Sequence, residues 1–299
     1  PSFRNIEILK DKKSVKIIDS HCHYNLEPIF SGKPSHFSLE DNNPLLQMTW
    51  KNHWQKALEK NVTGAVVVGS NIENSLSSIE IAKNNPQIVA AIGIHPHHAL
   101  DNSLEEFKTF FENNLPHPEV KAIGETGLDY FRLNKTTEEF KRTQQAQQKL
   151  FRLQLQIAKR YKLPVIVHVR DDSEDAYWET LEILKQEYSP DLKFVLHCAS
   201  GPTRYITEAL SMGAYIGFDG NIGYKNAGDL RSILKRVPLD KILIETDAPY
   251  LPPQGYRGQV CEPWMIAETA VYLEKEFDLD LDLIYKNTQE FFKYSFEKK

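Results

Sequence analysis

Pro164-Val165-Ile166-Val167-His168-Val169-Arg170 joins a run of β-branched residues to an imidazole and a guanidinium. The run Val165–His168 has the length and make-up of a strand buried on both faces, as the strands of a parallel sheet are. Runs of the same kind recur at Val15–Asp19, Ala65–Gly69, Ile88–Ile94, Val120–Glu125, Phe194–His197, Ala214–Gly217 and Ile242–Glu245. Segments with helical spacing lie between them, at Ser103–Asn114, Glu138–Tyr161, Ser173–Tyr188, Pro202–Met212 and Glu262–Phe277. In the longest, Phe140, Leu150, Leu153, Ile157 and Tyr161 are expected to share one apolar stripe. Eight strands alternating with helices predict an α/β fold, a closed (β/α)8 TIM barrel, with residues 1–299 as a single domain. The rival, an open doubly wound sheet, lacks its phosphate-binding GxGxxG after an early strand. Pro28–Met48, with several Pro, Ser and Asn, reads as a long loop after the first strand, placed to shape substrate access.

The composition narrows the function. The chain has 299 residues, with 36 Lys and Arg against 41 Asp and Glu, a net charge of −5. That balance argues against a protein that coats nucleic acid through bulk positive charge, and leaves open local engagement of a single phosphate. At 41% hydrophobic and 26% charged residues, the chain is not disordered. Three cysteines are too few for a disulfide framework and point to a reducing compartment, so the cytoplasm is expected, or the nucleus in a eukaryotic cell. No apolar run approaches the roughly 20 residues that span a bilayer, and neither a membrane nor an obligate protein partner is expected.

The histidines and acids fall at the ends of those runs. His21 and His23 follow the first, and their two-residue spacing puts both imidazoles on one face with Cys22 on the other. His95 and His97 end the third, Glu125 the fourth, His168 the fifth, His197 the sixth and Asp247 the eighth. Barrel enzymes build their sites at this end of the strands. A lone His-x-His is a weak signal, and Glu125 or Asp247 alone fits a helix N-cap; the conjunction at six strand ends points to metal binding. His21, His23, His168 and His197 with Glu125 and Asp247 exceed what one tetrahedral ion takes, and Glu125 is placed to bridge a pair. Strand alternation turns Cys22 and Cys198 toward the helices as small buried apolar residues. His36, His53 and His117 receive no role.

The motifs that carry this pattern are Ile18-Asp19-Ser20-His21-Cys22-His23, Gly93-Ile94-His95-Pro96-His97, Ala122-Ile123-Gly124-Glu125-Thr126-Gly127-Leu128-Asp129-Tyr130, Pro164 to Arg170, His197-Cys198-Ala199-Ser200-Gly201, and Glu245-Thr246-Asp247-Ala248-Pro249-Tyr250-Leu251. With them the chain resembles the TatD-type metal-dependent deoxyribonucleases of the amidohydrolase superfamily, from residue 17 to about 265. The resemblance implies a TIM barrel with two divalent ions (Mg, Mn or Zn). One would be held by His21, His23, Glu125 and Asp247, the other by Glu125, His168 and His197. Asn25 stands where members often carry an acid, Cys261 where an Asn is usual, and the loop Pro28–Met48 is longer than the family norm.

The implied activity is hydrolysis of DNA phosphodiester bonds, as a 3′–5′ exonuclease acting on a strand or its end. A metal-activated water would attack phosphorus while Asp247 orients it and takes its proton, with Glu125 beside it. Arg170, on the same face as His168, is expected to clamp a phosphate, with His95 and His97 as further phosphate contacts or proton donors. Tyr130 and Tyr250 offer faces for a base. The alternatives are a metal-dependent hydrolase of a small ester or phosphoester, and deacylation of a mischarged D-aminoacyl-tRNA. A purely structural metal module fits poorly, because such sites are closed and rich in Cys.

Overall fold

The computed structural model describes residues 15–297, and in it each of the eight runs is a strand. In chain order these are β1 (Ile17–Cys22), β2 (Val62–Val68), β3 (Ile88–Ile92), β4 (Val120–Asp129), β5 (Val165–Arg170), β6 (Phe194–Leu196), β7 (Tyr215–Phe218) and β8 (Ile242–Ile244). The helices are α1 (Trp50–Leu58), α2 (Ile72–Ala82), α3 (Leu104–Asn114), α4 (Glu138–Tyr161), α5 (Asp175–Gln186), α6 (Thr203–Ser211), α7 (Gly228–Leu234), α8 (Ile266–Phe277) and α9 (Leu281–Phe292). The strands pair in parallel from β1 through to β8. Backbone bonds from Asp247 N to the His21 carbonyl (2.9 Å) and from His23 N to the Ala248 carbonyl (2.8 Å) join the last strand's exit to the first. The sheet therefore closes as a TIM barrel. No helix among the described residues is long and apolar enough to cross a membrane.

Side-chain parity divides the core into two layers. Ile18, Val66, Val89, Ala91, Ala122, Ile166, Val195, Tyr215 and Leu243 fill the barrel, and Phe291 and Phe292 at the end of α9, with Phe296 just past it, join that cluster as a plug. The alternate residues, such as Ile17, Val67, Ala90, Ile123 and Val167, pack outward under the helices. In α4 the buried stripe runs through Phe140, Leu150, Phe151, Leu155, Ile157 and Ala158. Leu153 and Tyr161, expected on that stripe, sit only half-buried at its margin.

Two strands break simple alternation. Asp19 pairs with Ala65 and Cys22 with Val67, so three steps on β1 oppose two on β2. Ile123 pairs with Val165 and Thr126 with Val167, the same slip between β4 and β5. Such bulges reverse parity. Below them the inward residues are Ile18 and Ala122; above them they are His21, His23 and Glu125. The bulge in β4 also carries that strand on to Asp129, so Glu125 stands inside a strand rather than at its end.

Candidate metal centre

Above the apolar filling, the inward positions turn polar. His21 Nε2 and His23 Nε2 lie 3.2 Å apart. Asp247 Oδ1 faces them at 3.5 and 3.4 Å, and Glu125 reaches them at 3.9 Å through Oε2 and 3.8 Å through Oε1. On the other side of Glu125, its Oε2 lies 3.2 Å from His197 Nε2 and 3.6 Å from His168 Nδ1. Those two imidazole nitrogens are themselves 3.2 Å apart. All six residues expected from the sequence thus converge, with Glu125 between two groups of donors. Donors bound about 2.0–2.2 Å from one ion lie roughly 3.0–3.6 Å from each other, and most of these separations match that spacing. Nitrogen and carboxylate donors suit a borderline divalent cation, so the residues fit a metal.

Several of these candidate ligands are braced from behind. His23 Nδ1 meets the Val68 carbonyl at 2.9 Å, which leaves Nε2 pointing inward. The Asn25 amide nitrogen lies within donor distance of the same carbonyl (3.0 Å), the Asn74 carbonyl and Ser78 Oγ, and so ties the exit of β1 to α2. His168 Nε2 lies 3.1 Å from Asp129 Oδ2, and His97 Nε2 approaches the same oxygen at 3.0 Å. His197 Nδ1 lies 3.6 Å from Glu245 Oε1, and Glu245 also accepts from Cys198 N. A carboxylate behind a ligating imidazole fixes its ring and raises its basicity. Asp19 accepts from Thr246 N and Oγ1 and braces the turn that presents Asp247. Asp247 itself is left-handed, with φ +54°, a conformation that Asp tolerates better than most residues.

The electrostatics follow from crowding in a buried pocket. Burial and the neighbouring His197 push His21 well below its ordinary pKa. Burial opposes charge on His23 too, but Asp247 and Glu125 outweigh it and raise the group. For Glu125, burial is overcome by the imidazoles around it, and its carboxyl is held well below the usual range. Asp129 is lowered likewise, against its burial, by His168 and His97. Asp19, sunk beneath the site, is pushed up to about 8, chiefly by burial.

The remaining candidates are placed unevenly. The His95 ring packs against His168 at 4.3 Å between centroids, and His97 stands exposed at the rim. Arg170 is exposed, with its guanidinium 3.7 Å from the centre of the Phe131 ring; that stacking holds the charge at the mouth. Tyr130 offers no face to a base: it is fully buried and its hydroxyl donates to Glu179 at 2.6 Å. Tyr250 does stand at the mouth, 6.5 Å from His23 and stacked at 5.7 Å on His36, a residue given no role from the sequence. Cys22 is buried, as expected. Cys198 is left-handed and faces the Asp219 carboxyl, so it is not an apolar filler.

Sequence reasoning missed Asp129, Glu245 and Asp19 as supports. Parity offered a signal for two of them: Glu245 is two residues before Asp247, and Asp129 is four after Glu125, each on the ligand's own face.

The profile of the TatD related DNase family matches residues 18–297. The chain is 34% identical over 258 residues to an uncharacterized metal-dependent hydrolase of Buchnera aphidicola subsp. Baizongia pistaciae, covering 86% of this chain and 87% of that one. It is 33% identical over 236 residues to the uncharacterized metal-dependent hydrolase YabD of Bacillus subtilis, covering 79% and 88%. Among solved structures, the TatD homolog YjjV of Escherichia coli K12 superposes with a TM-score of 0.77 at 27% identity, covering 95% of this chain and all of that one. The chain belongs to the TatD related DNase family and is a metal-dependent hydrolase.

Proposed function

We propose that this hydrolase cleaves phosphodiester bonds of DNA, working from a strand end in the 3′–5′ direction. The observation that carries the reading is the position of Glu125, its carboxylate between two groups of imidazole donors. Such a placement supports two divalent ions about one bridging carboxylate: His21, His23, Glu125 and Asp247 would hold one, and Glu125, His168 and His197 the other. Ions held there supply Lewis acidity, which lowers the pKa of a water and neutralises charge on a phosphoryl oxygen.

The chain's own groups do the rest. Asp247, partly exposed at the mouth and aimed inward by its left-handed backbone, orients the attacking water and takes its proton on the carboxylate. Arg170 meets a non-bridging phosphate oxygen from the rim, where Phe131 limits its freedom. His97, exposed and paired with Asp129, is placed to give a proton to the leaving oxygen, with His95 beside it. The anionic strand is engaged locally, since the chain as a whole is acidic. A cytoplasmic setting suits these free thiols.

The test uses end-labelled single- and double-stranded DNA with Mg, Mn or Zn, with and without chelator. Wild type should shorten the strand from its 3′ end only with metal. Asp247→Asn should lower kcat by about a thousandfold or more while the protein still binds metal. Undiminished turnover by Asp247→Asn would remove that residue's role, and no cleavage under any condition would overturn the DNA reading in favour of a small ester substrate.

A further inference from the structure

A cavity of about 770 Å³ lies between the β1–α1 loop and the segment that follows β8. Its walls include Phe37, Leu39, Leu45, Met48 and Val260, with Asn42 and Gln259 among the lining residues. A row of rings connects it to the catalytic groups. His23 meets Tyr250 at 6.5 Å, and Tyr250 meets Phe37 at 5.7 Å, with His36 packed against both at 5.7 and 4.3 Å.

The polar content of the walls discriminates between ligands. Lys56 is the cation among the lining residues, and its ammonium is taken by both oxygens of Glu262 at 2.8 and 2.9 Å. His53 approaches the same carboxylate at 3.1 Å. Glu40 adds a negative charge with no ion-pair partner among the described residues. A second phosphate would thus find no free cation and one repelling carboxylate. A neutral planar ring is better matched, with an aromatic face in Phe37 and aliphatic walls. The side chains of Asn42 and Gln259 are exposed, without hydrogen-bond partners among the described residues, and each can both donate and accept along a base edge. The volume lies within the range of small-ligand sites.

We propose that this cavity receives a nucleobase of the DNA strand within three nucleotides of the scissile phosphodiester, stacked on Phe37 and read at its edge by Asn42 and Gln259. The proposal rests on the nuclease reading. Because a base contributes through stacking, its loss should be felt at one position of the strand only.

The experiment measures kcat/KM of the metal-loaded full chain on single-stranded oligonucleotides that lack one base at a time within three nucleotides of the cleaved end. In wild type, one position should cost about tenfold or more. Phe37→Ala should lower kcat/KM on the intact strand by a similar factor, and Phe37→Tyr should restore it. In Phe37→Ala, removing the base at the sensitive position should cost nothing further. Should Phe37→Ala fail to fold, Gln259→Ala at the exposed rim should show the same failure of the two losses to multiply, with a smaller factor. Losses that multiply, or equal sensitivity at every position, overturn the subsite and leave the nuclease intact. A wild-type chain that cleaves no oligonucleotide yet hydrolyses bis(p-nitrophenyl) phosphate overturns the nuclease reading and the subsite together.

Discussion

Asp129 shows how much of the candidate centre depends on residues beyond the six that converge on it. Its Oδ2 lies 3.1 Å from His168 Nε2 and 3.0 Å from His97 Nε2, so one carboxylate orients a proposed ligand and couples it to a rim imidazole. Gln147 fixes that carboxylate's backbone in turn, accepting from Asp129 N and donating to the Asp129 carbonyl. Asp129→Asn is expected to weaken metal binding by roughly 10–100-fold, measured by calorimetric titration with Zn or Mn. Unaltered affinity would limit Asp129 to a structural role. Sequence alone pointed to the candidate ligands, because His and acidic residues at the tops of apolar runs are chemically conspicuous. It gave little of Asp129 or Glu245, because an acid near a strand end reads equally well as a turn or cap residue. Arg170 was legible by parity, but not the ring that holds it.

At the scale of elements, polar side chains buried under the helices set where strands end and ligands begin. Gln154 of α4 accepts from Ile94 N, donates to the Ile94 carbonyl and donates to Thr126 Oγ1, pinning β3's exit to β4 just past Glu125. Glu262 does similar work between α1 and the turn leading into α8, through Lys56 and His53. Burial opposes its charge, but these partners hold the carboxyl down at about 2 against an ordinary 4.5. A carboxylate whose folded pKa is depressed contributes stability above its unfolded pKa and loses it as pH falls through the folded one. Glu262→Gln is therefore expected to cost about 1–3 kcal/mol near neutral pH, at the low end because Lys56 is partly exposed. The difference in Tm from wild type should narrow as pH falls from about 5 toward 2. A pH-independent difference would assign the loss to packing. None of these ties is visible as periodicity; α1, with His53, Trp54 and Ala57 as its buried residues, is only 9 residues long, too short for its stripe to stand out as a helix. α4 was legible to the residue because it is long, amphipathic and capped by Thr137.

For the whole molecule, the barrel concentrates one sign of charge and then invites its neutralisation. Glu125 and Asp247 sit toward the mouth with Asp129 and Glu245 close behind them, and the chain carries a net −5 overall. Divalent ions that bind the folded site and not the unfolded chain must raise stability by mass action, about 4 kcal/mol at a free concentration a thousand times Kd. A rise of roughly 5–8 °C in Tm on saturation with Mn or Zn, reversed by chelator and absent in a His21→Ala, His168→Ala double variant, is the expected outcome. No metal-dependent shift in wild type would count against the centre. What the sequence determined was the barrel and the set of candidate ligands, since eight β-branched runs buried on both faces suit a parallel sheet, and their C-terminal ends converge once that sheet closes. Which side chains face inward was decided by tertiary structure. The bulges in β1 and β4 reverse the parity between Ile18 and His21 and between Ala122 and Glu125, and a bulge is set by the pairing of one strand with its neighbour. The cavity walled by Phe37 and Gln259 likewise joins residues 222 positions apart in the chain, and only their shared approach to the barrel mouth makes them one surface.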